Sequence, residues 1–260
     1  MKQPEVIRLP VTHPRYLALK YCLKTFRKVT GRVLDVGCGA GVMTKEIKRL
    51  RPDFEVYGID SSPEAIELAK KDGGEVNFRV SDTYHLPFKN DYFSAAFSHH
   101  VLEHLKRPGQ ALAEIARVTK KGGKIYAAVP LEGNWSSIHA FFYKIPAYKK
   151  MRVRYLAHVQ QYSLEEIKKL FGENGFLITD YYWSGGLVMQ TINFFYYLSA
   201  SFLKLPPSFL TGNDLLIKKR SGYGRWGTIA KRFFYFLVTL ESLFIPRVPQ
   251  EIVHLAGRKK

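Results

Sequence analysis

The sequence predicts an α/β protein built on a doubly wound, seven-stranded, mostly parallel sheet. Short apolar runs alternate with amphipathic stretches of helical length between residues 14 and 183. Such alternation places parallel strands in the centre and helices on both faces. The first apolar run ends in the turn Gly37-Cys38-Gly39-Ala40-Gly41, and the next ends at Asp60, nineteen residues beyond Gly41. A glycine-rich turn followed at this distance by an acid is typical of a nucleotide-binding βαβ unit.

The element boundaries follow from the apolar runs and from the turn residues between them. Ser62-Pro63-Glu64 starts one helix and Ser163-Leu164-Glu165-Glu166 another, because a serine side chain accepts hydrogen bonds from the free amides of a first helical turn. Lys121-Gly122-Gly123 is expected to be a turn before the fifth strand. The predicted strands are 32–37, 55–60, 76–81, 92–98, 124–129, 176–183 and 252–256, and the predicted helices are 14–28, 41–50, 63–71, 108–119 and 164–174.

A long insertion interrupts this pattern between the last two strands. Residues 1–184 and 251–260 are predicted to form the main domain, and residues 185–250 an α-helical insertion. The insertion contains thirteen aromatic residues, eight Lys or Arg residues and two acids. Polar residues interrupt its uncharged stretch, 185–203, so we expect a lid or a membrane-edge element and not a spanning helix.

The composition limits the kinds of binding partner and the cellular compartment that we expect. A formal net charge of +18 over 260 residues favours an anionic partner: nucleic acid, an acidic membrane surface or an acidic substrate. Cys22 and Cys38, the two cysteines, provide neither a disulfide framework nor a metal cluster, and we expect no metal. A reducing, cytoplasmic compartment fits these cysteines and an N-terminal stretch without an apolar signal core. Association with a membrane stays open.

The acid before the glycine turn distinguishes between nucleotide ligands. A dinucleotide fingerprint needs a third glycine at the position of Val42, and Asp35 would repel a pyrophosphate. An acid beside a glycine turn suits a cationic amino-acid group instead. The string Val33–Gly41, with Asp60 behind it, resembles motif I of the class I S-adenosylmethionine (SAM) methyltransferases.

Later motifs extend this resemblance over residues 30–183. An acid, Asp82, precedes a Leu-Pro-Phe sequence after the third predicted strand, as in that family. Further segments similar to the family are 100–105, 114–123 and 158–163. The sequence is identified as a member of the ubiquinone/menaquinone-biosynthesis-like group, methyltransferase type 11. The main domain is then a SAM-binding methyltransferase domain.

The resemblance implies SAM as the cofactor and S-adenosyl-L-homocysteine as its product. In such a site Asp35 faces the methionine amino group, Asp60 holds the ribose and Asp82 holds the adenine amino group. The candidate cofactor-binding residues are Asp35, Gly37, Cys38, Gly39, Gly41, Asp60, Ser61, Ser81, Asp82, Ser98 and His99.

The implied reaction is an in-line displacement at the sulfonium methyl. The methyl donor is already activated, so the protein chiefly supplies proximity and orientation, and an acceptor of high pKa also needs a base. Candidates for this base are His99, His100 and His104, which follow the fourth strand at the switch point of the sheet. Tyr143, His158 and Tyr162 are candidate substrate contacts.

The sequence leaves several classes of methyl acceptor possible. Two basic, aromatic segments, 139–157 and 185–250, suggest a membrane-edge lid over a lipid-like or quinone-like acceptor. The same residues would suit a single-stranded RNA track, a dimer interface or a cover over a soluble small molecule. A SAM-binding regulatory protein is a further alternative. Ser98–Val101 lacks the Asn/Asp-Pro-Pro-Tyr turn of amino-directed base methyltransferases, and neither cysteine is placed for cytosine-C5 chemistry. The oligomeric state does not follow from the sequence.

Overall fold

A computed structural model of the chain describes residues 15–71, 74–132, 138–142, 144–186 and 252–260, with 190, 191, 194, 198 and 202 in addition. The strands are β1 Gly31–Val36, β2 Phe54–Asp60, β3 Asn77–Val80, β4 Phe93–His99, β5 Thr119–Pro130, β6 Phe176–Ser184 and β7 Ile252–Lys259. The α-helices are α1 Tyr16–Thr25, α2 Val42–Leu50, α3 Pro63–Lys71, α4 Pro108–Val118, α5 Ile138–Phe142, α6 Pro146–Leu156 and α7 Leu164–Glu173, and Leu102–His104 forms a short 3₁₀ helix.

The seven strands form one sheet in the order β3-β2-β1-β4-β5-β7-β6. The pairs among β1, β2, β3, β4 and β5 are parallel, and β7 runs antiparallel to both β5 and β6. The doubly wound, mostly parallel sheet predicted from the sequence is therefore confirmed. The order reverses between β1 and β4, where the crossovers leave the sheet in opposite directions. In such sheets ligands bind at this place, outside the carboxyl ends of the strands.

Two apolar layers cover the faces of the sheet. Successive side chains of a strand point to opposite faces, and β1 shows this directly: Val33 lies in the layer with α1 and α2, whereas Leu34 and Val36 lie in the layer with α4 and α7. The alternation also directs Asp35 toward α2. The alternation of side chains along β1 thus places a buried acid, Asp35, at the end of a central strand.

Some boundaries differ from the sequence prediction. Lys121-Gly122-Gly123 is not a separate turn before a strand but lies within β5. There the pairing with β4 changes register between Phe93 and Ala95, and Gly122 has a φ of +74°. A glycine tolerates this left-handed conformation and lets the strand bulge without ending. β7 continues to Lys259, three residues beyond its predicted end.

A buried polar triad ties the last three strands of the sheet together. His254 on β7 has Nδ1 at 2.7 Å from the Tyr126 hydroxyl of β5 and Nε2 at 2.6 Å from Ser184 Oγ of β6. Burial lowers the pKa of His254 to about 3, and the neighbouring charge of His100 acts in the same direction. The imidazole is therefore neutral and hydrogen-bonded on both nitrogens in the folded protein.

The insertion lies largely outside the described residues. Gln190, Thr191, Phe194, Leu198 and Phe202 within it are helical, as predicted, and the remainder of the predicted helical insertion stays a prediction. Across the part of the chain that the structure describes, no helix is long and apolar enough to cross a bilayer.

Candidate functional site

The three glycines of the turn between β1 and α2 have two different structural roles. Gly37 and Gly41 have φ of +76° and +74°, and a Cβ on them would meet Val101 Cγ2 at 2.4 Å and the Phe78 ring at 2.6 Å, respectively. These two glycines are required by packing. Gly39 has a φ of +53°, but a Cβ there would meet nothing within 4 Å. Its free side is where an external group can approach the backbone.

Asp60 at the end of β2 holds this turn in place. Gly39 N–H donates to Asp60 Oδ2 at 2.8 Å, and Ser62 N–H donates to Oδ1 at 2.9 Å. The amides of Gly37 and Cys38 both donate to the carbonyl of Ile59 at 2.8 Å. The carboxylate is thereby fixed in orientation beside the open side of the turn, with lone pairs left to accept from a ligand hydroxyl.

Asp35 lies below the turn and is only 2% exposed. Thr44 of α2 donates its hydroxyl to Asp35 Oδ2 at 2.6 Å. Burial raises the pKa of Asp35 to about 7; the Thr44 hydrogen bond acts against this shift and the charge of Asp60 acts with it. At neutral pH the carboxyl is close to half ionised, so a nearby cation would favour its charged form.

The other predicted cofactor residues lie around this turn or at the adjacent strand ends. Ser81 N–H donates to the Asp60 carbonyl at 3.0 Å, which brings the end of β3 to the end of β2. Asp82 is exposed and accepts from Tyr84 N–H at 2.9 Å. Ser61 is exposed beside Asp60, and Ser98 is buried at the end of β4. Burial raises the pKa of the Cys38 thiol far above its usual range, so this thiol stays neutral.

His99 and His100, two of the predicted bases, lie at the end of β4 with ring centroids 4.4 Å apart. Burial lowers the pKa of His99 well below its usual range, and the charge of His100 adds to the effect. His100 adopts a φ of +56° and places Nδ1 at 3.0 Å from Glu103 Oε1. A left-handed conformation in a residue other than glycine is costly and marks a constrained position.

Glu103 is the centre of the region beyond β4. Its side chain is fully buried, and its carbonyl accepts from Val159 N–H at 2.9 Å and Gln160 N–H at 3.0 Å. These bonds bring the loop after α6 against the 3₁₀ helix. The His100 contact and the charges of His100 and His158 keep the pKa of Glu103 below its usual range, although burial acts in the opposite direction.

The structure separates the predicted substrate residues. His158 is brought beside His104, with ring centroids 5.0 Å apart, and both lie next to Glu103. Tyr162 instead belongs to the apolar core, where its hydroxyl donates to the Leu102 carbonyl at 3.3 Å. Tyr143 lies outside the described residues. Glu132, which contacts His158, was missed by sequence reasoning because no local motif marks it.

The fold and the site agree with the methyltransferase domain that the sequence motifs predict. Residues 34–127 match the family described as "Methyltransferase domain". This stretch contains the glycine turn, Asp60, Asp82 and the 98–104 segment. Residues 34–127 are thus similar to a methyltransferase domain, as the sequence motifs predicted.

The chain is also similar in sequence to individual methyltransferases. The chain is 37% identical to an uncharacterized methyltransferase of Schizosaccharomyces pombe over 129 residues, which are 45% of this chain and 44% of that protein. It is 35% identical to a ubiquinone biosynthesis O-methyltransferase of Xanthomonas oryzae over 100 residues, 36% of this chain and 41% of that protein. The chain therefore spans less than half the length of these curated relatives.

A solved structure shows the same fold over most of the chain. The geranyl diphosphate methyltransferase in complex with SAM superposes with a TM-score of 0.57, at 14% sequence identity, over 94% of this chain and 85% of that one. At this identity the likeness concerns the fold alone.

Proposed function

We propose that this protein transfers the sulfonium methyl of SAM to a small lipid-like or quinone-like acceptor by in-line displacement. One observation carries the cofactor part: the glycine turn, open at Gly39, lies beside the oriented carboxylate of Asp60 at the switch point of the sheet. This arrangement falls within the stretch that matches the methyltransferase family.

The residues around the turn fit SAM group by group. The carboxylate of Asp60 would accept from both ribose hydroxyls while its backbone hydrogen bonds keep it oriented. Asp35 would bind the methionine ammonium, since its buried carboxyl accepts from a neutral hydroxyl, that of Thr44, and a cation would favour its charged form. Asp82 would accept from the adenine amino group at the end of β3. SAM supplies an activated methyl group, so these residues act by binding and orientation.

Exposed apolar side chains support the lipid-like acceptor. We call Phe141, Ile145, Leu198 and Phe202 the apolar lid; they are 71%, 48%, 46% and 87% exposed, respectively. Large apolar side chains exposed on a surface mark sites of interaction with ligands, partners or membranes. Lys144, Lys149 and Lys150, close to Phe141 and Ile145 in sequence, are also exposed. Exposed apolar and basic residues in one segment suit the boundary of an anionic bilayer.

The apolar lid is attached to the site through packing and through the chain. Phe194 places its ring 4.6 Å from that of Phe142 and 5.8 Å from that of Tyr148, so the inserted helical residues rest on α5 and α6. The loop after α6 then contacts Glu103 through Val159 and Gln160. We infer that an amphiphile held at the apolar lid would reach the region beyond β4 through these elements. The apolar residues favour this acceptor over RNA, for which stacking aromatics must be displayed singly along a basic groove.

Tracing the labelled methyl group to its acceptor tests the proposal. Purified protein is incubated with methyl-labelled SAM and a total extract of the cells it comes from, and lipid, RNA, protein and small-molecule fractions are separated. We expect label in the lipid fraction, and its loss in Asp60→Ala. Label in RNA would overturn the acceptor class, and absence of transfer with intact SAM binding would identify a SAM-binding regulatory protein instead.

A further inference from the structure

Three potential metal ligands converge beyond the end of β4. Glu103, His104 and His158 each offer one ligand atom, and these atoms lie within 4.8 Å of one another. Glu103 and His104 belong to the 3₁₀ helix, and His158 follows α6. Ligand atoms bound about 2.1 Å from a tetrahedral zinc ion lie about 3.4 Å apart, so small side-chain rotations would close the cluster around an ion.

The hydrogen bonds of both histidines prepare them as ligands. His104 Nδ1 lies 3.2 Å from the Ala157 carbonyl, and His158 Nδ1 lies 2.9 Å from Glu132 Oε1. A carbonyl and an ionised carboxylate only accept, so each ring donates from Nδ1, and in the neutral ring Nε2 then offers its lone pair. A histidine that donates from one nitrogen to a carboxylate or carbonyl and binds a metal through the other is the usual arrangement of metal sites.

The second carboxylate oxygen of Glu103 also points to a bound cation, independently of the histidines. Its Oε1 is engaged by His100, but its Oε2 is buried and has no hydrogen-bond partner among the described residues. A buried carboxylate oxygen without a partner is costly, since it has lost its water and gained nothing in return. A cation bound between Glu103 and the two histidines would satisfy this oxygen.

We propose that Glu103, His104 and His158 bind a divalent first-row transition-metal ion, with Zn²⁺ as the best match to two imidazoles and one carboxylate. Glu132 would be a positioning residue that fixes the ring of His158. Three protein ligands leave a coordination position open, which distinguishes sites that bind an exchangeable oxygen ligand from closed structural sites. The expectation of no metal, based on the cysteines, is revised by this proposal.

The open position narrows the acceptor class, a step that rests on the proposed function. A metal ion lowers the pKa of an oxygen ligand, so a phenol or enol hydroxyl is the acceptor that this site suits best. The hydroxyl proton would pass to solvent. An oxygen lone pair would then form the O–CH₃ bond as the C–S bond breaks, leaving a neutral thioether.

Metal binding is tested without SAM or acceptor, on the full chain. Protein freed of metal with a chelator is titrated with Zn²⁺ by calorimetry, and with Co²⁺ by its visible absorption. We expect one equivalent to bind. His104→Ala and Glu103→Gln should each weaken binding at least tenfold, and Glu132→Gln should weaken it about 10–100-fold. His104 is exposed, so its alanine variant should retain the melting temperature.

His85→Ala is the matched control, because His85 is an exposed histidine outside the cluster. Its variant should bind Zn²⁺ like the wild type. Absence of a 1:1 complex, or equal affinity in the wild type and His104→Ala, would overturn the site. Stoichiometric metal binding without metal-dependent methyl transfer to a phenol would overturn the hydroxyl acceptor alone and leave both the metal site and the methyltransferase proposal standing.

Discussion

The cofactor side and the acceptor side of this molecule are built in different ways. On the cofactor side, Gly37, Gly39 and Asp60 come from one βαβ unit, and backbone hydrogen bonds lock them together. On the proposed acceptor side, Glu103 and His158 come from segments distant in sequence, which the sheet and α6 bring together. The first depends on local backbone geometry and the second on tertiary packing. Substitutions should therefore have different consequences on the two sides.

The largest effect is expected from Gly37→Ala. A Cβ at this left-handed position would meet Val101 Cγ2 at 2.4 Å, so strain and overpacking add, at a cost of about 2–5 kcal/mol in the free energy of unfolding. We expect SAM binding to be lost with it. Denaturant unfolding and calorimetric titration measure the two quantities.

Gly39→Ala should separate ligand binding from stability. Gly39 and Gly74 share a φ of +53° and open surroundings, so Gly74→Ala is a control for backbone strain alone. Both variants should lose a similar roughly 1–2 kcal/mol of stability, but only Gly39→Ala should lose SAM affinity. Equal SAM affinity in these two variants would show that the turn does not face the ligand.

Asp60→Ala should weaken SAM binding by about 100-fold or more, because charge-assisted hydrogen bonds to the ribose contribute roughly 1.5–3 kcal/mol and the turn is also released. Calorimetry measures this loss. Glu67→Gln, which removes an exposed acid of α3, is the control and should leave the affinity unchanged. A wild-type affinity in Asp60→Ala would place the nucleoside elsewhere.

A smaller, pH-dependent effect is expected at Asp35. Because the pKa of Asp35 is raised to about 7, its stabilising contribution is present below about pH 4 and is lost as the pH rises through about 7. SAM affinity should change in the opposite direction, rising about tenfold between pH 6 and pH 8, since the ammonium binds the ionised form. Titrations across this range with Asp35→Asn should give a weaker, nearly flat profile. A rising profile in that variant would assign the titration to another group.

The smallest effect is expected on the acceptor side. Phe141→Glu combined with Phe202→Glu should reduce partitioning to anionic liposomes several-fold while leaving SAM affinity intact, because both side chains are exposed and outside the cofactor site. Leu177→Glu changes an apolar residue on β6 that is 44% exposed and lies outside the apolar lid, and it should leave partitioning unchanged. Sedimentation with vesicles measures both. Equal partitioning of the wild type and the double variant would rule out a membrane role for the apolar lid.

The same contrast explains what could be predicted from the sequence. The glycine turn, Asp60 and the capping box at Ser163 depend on neighbours a few residues away or on one βαβ unit, and the structure shows each of these elements in its predicted place. The local sequence around Gly122 favours a turn, because it does not reveal that β5 pairs with β4 on both sides of this glycine. The contact of His158 with Glu132, which joins residues distant in sequence, likewise has no local signal.

A crystal structure with S-adenosyl-L-homocysteine bound would show whether the glycine turn and Asp60 form the cofactor site. We expect ribose hydroxyls within hydrogen-bond distance of Asp60, the adenine beside Asp82, and the backbone of Gly39 against the ligand. The thioether sulfur should point toward the region between His99 and the Glu103 cluster. A nucleoside bound away from Asp60, or a sulfur directed away from the end of β4, would overturn this assignment.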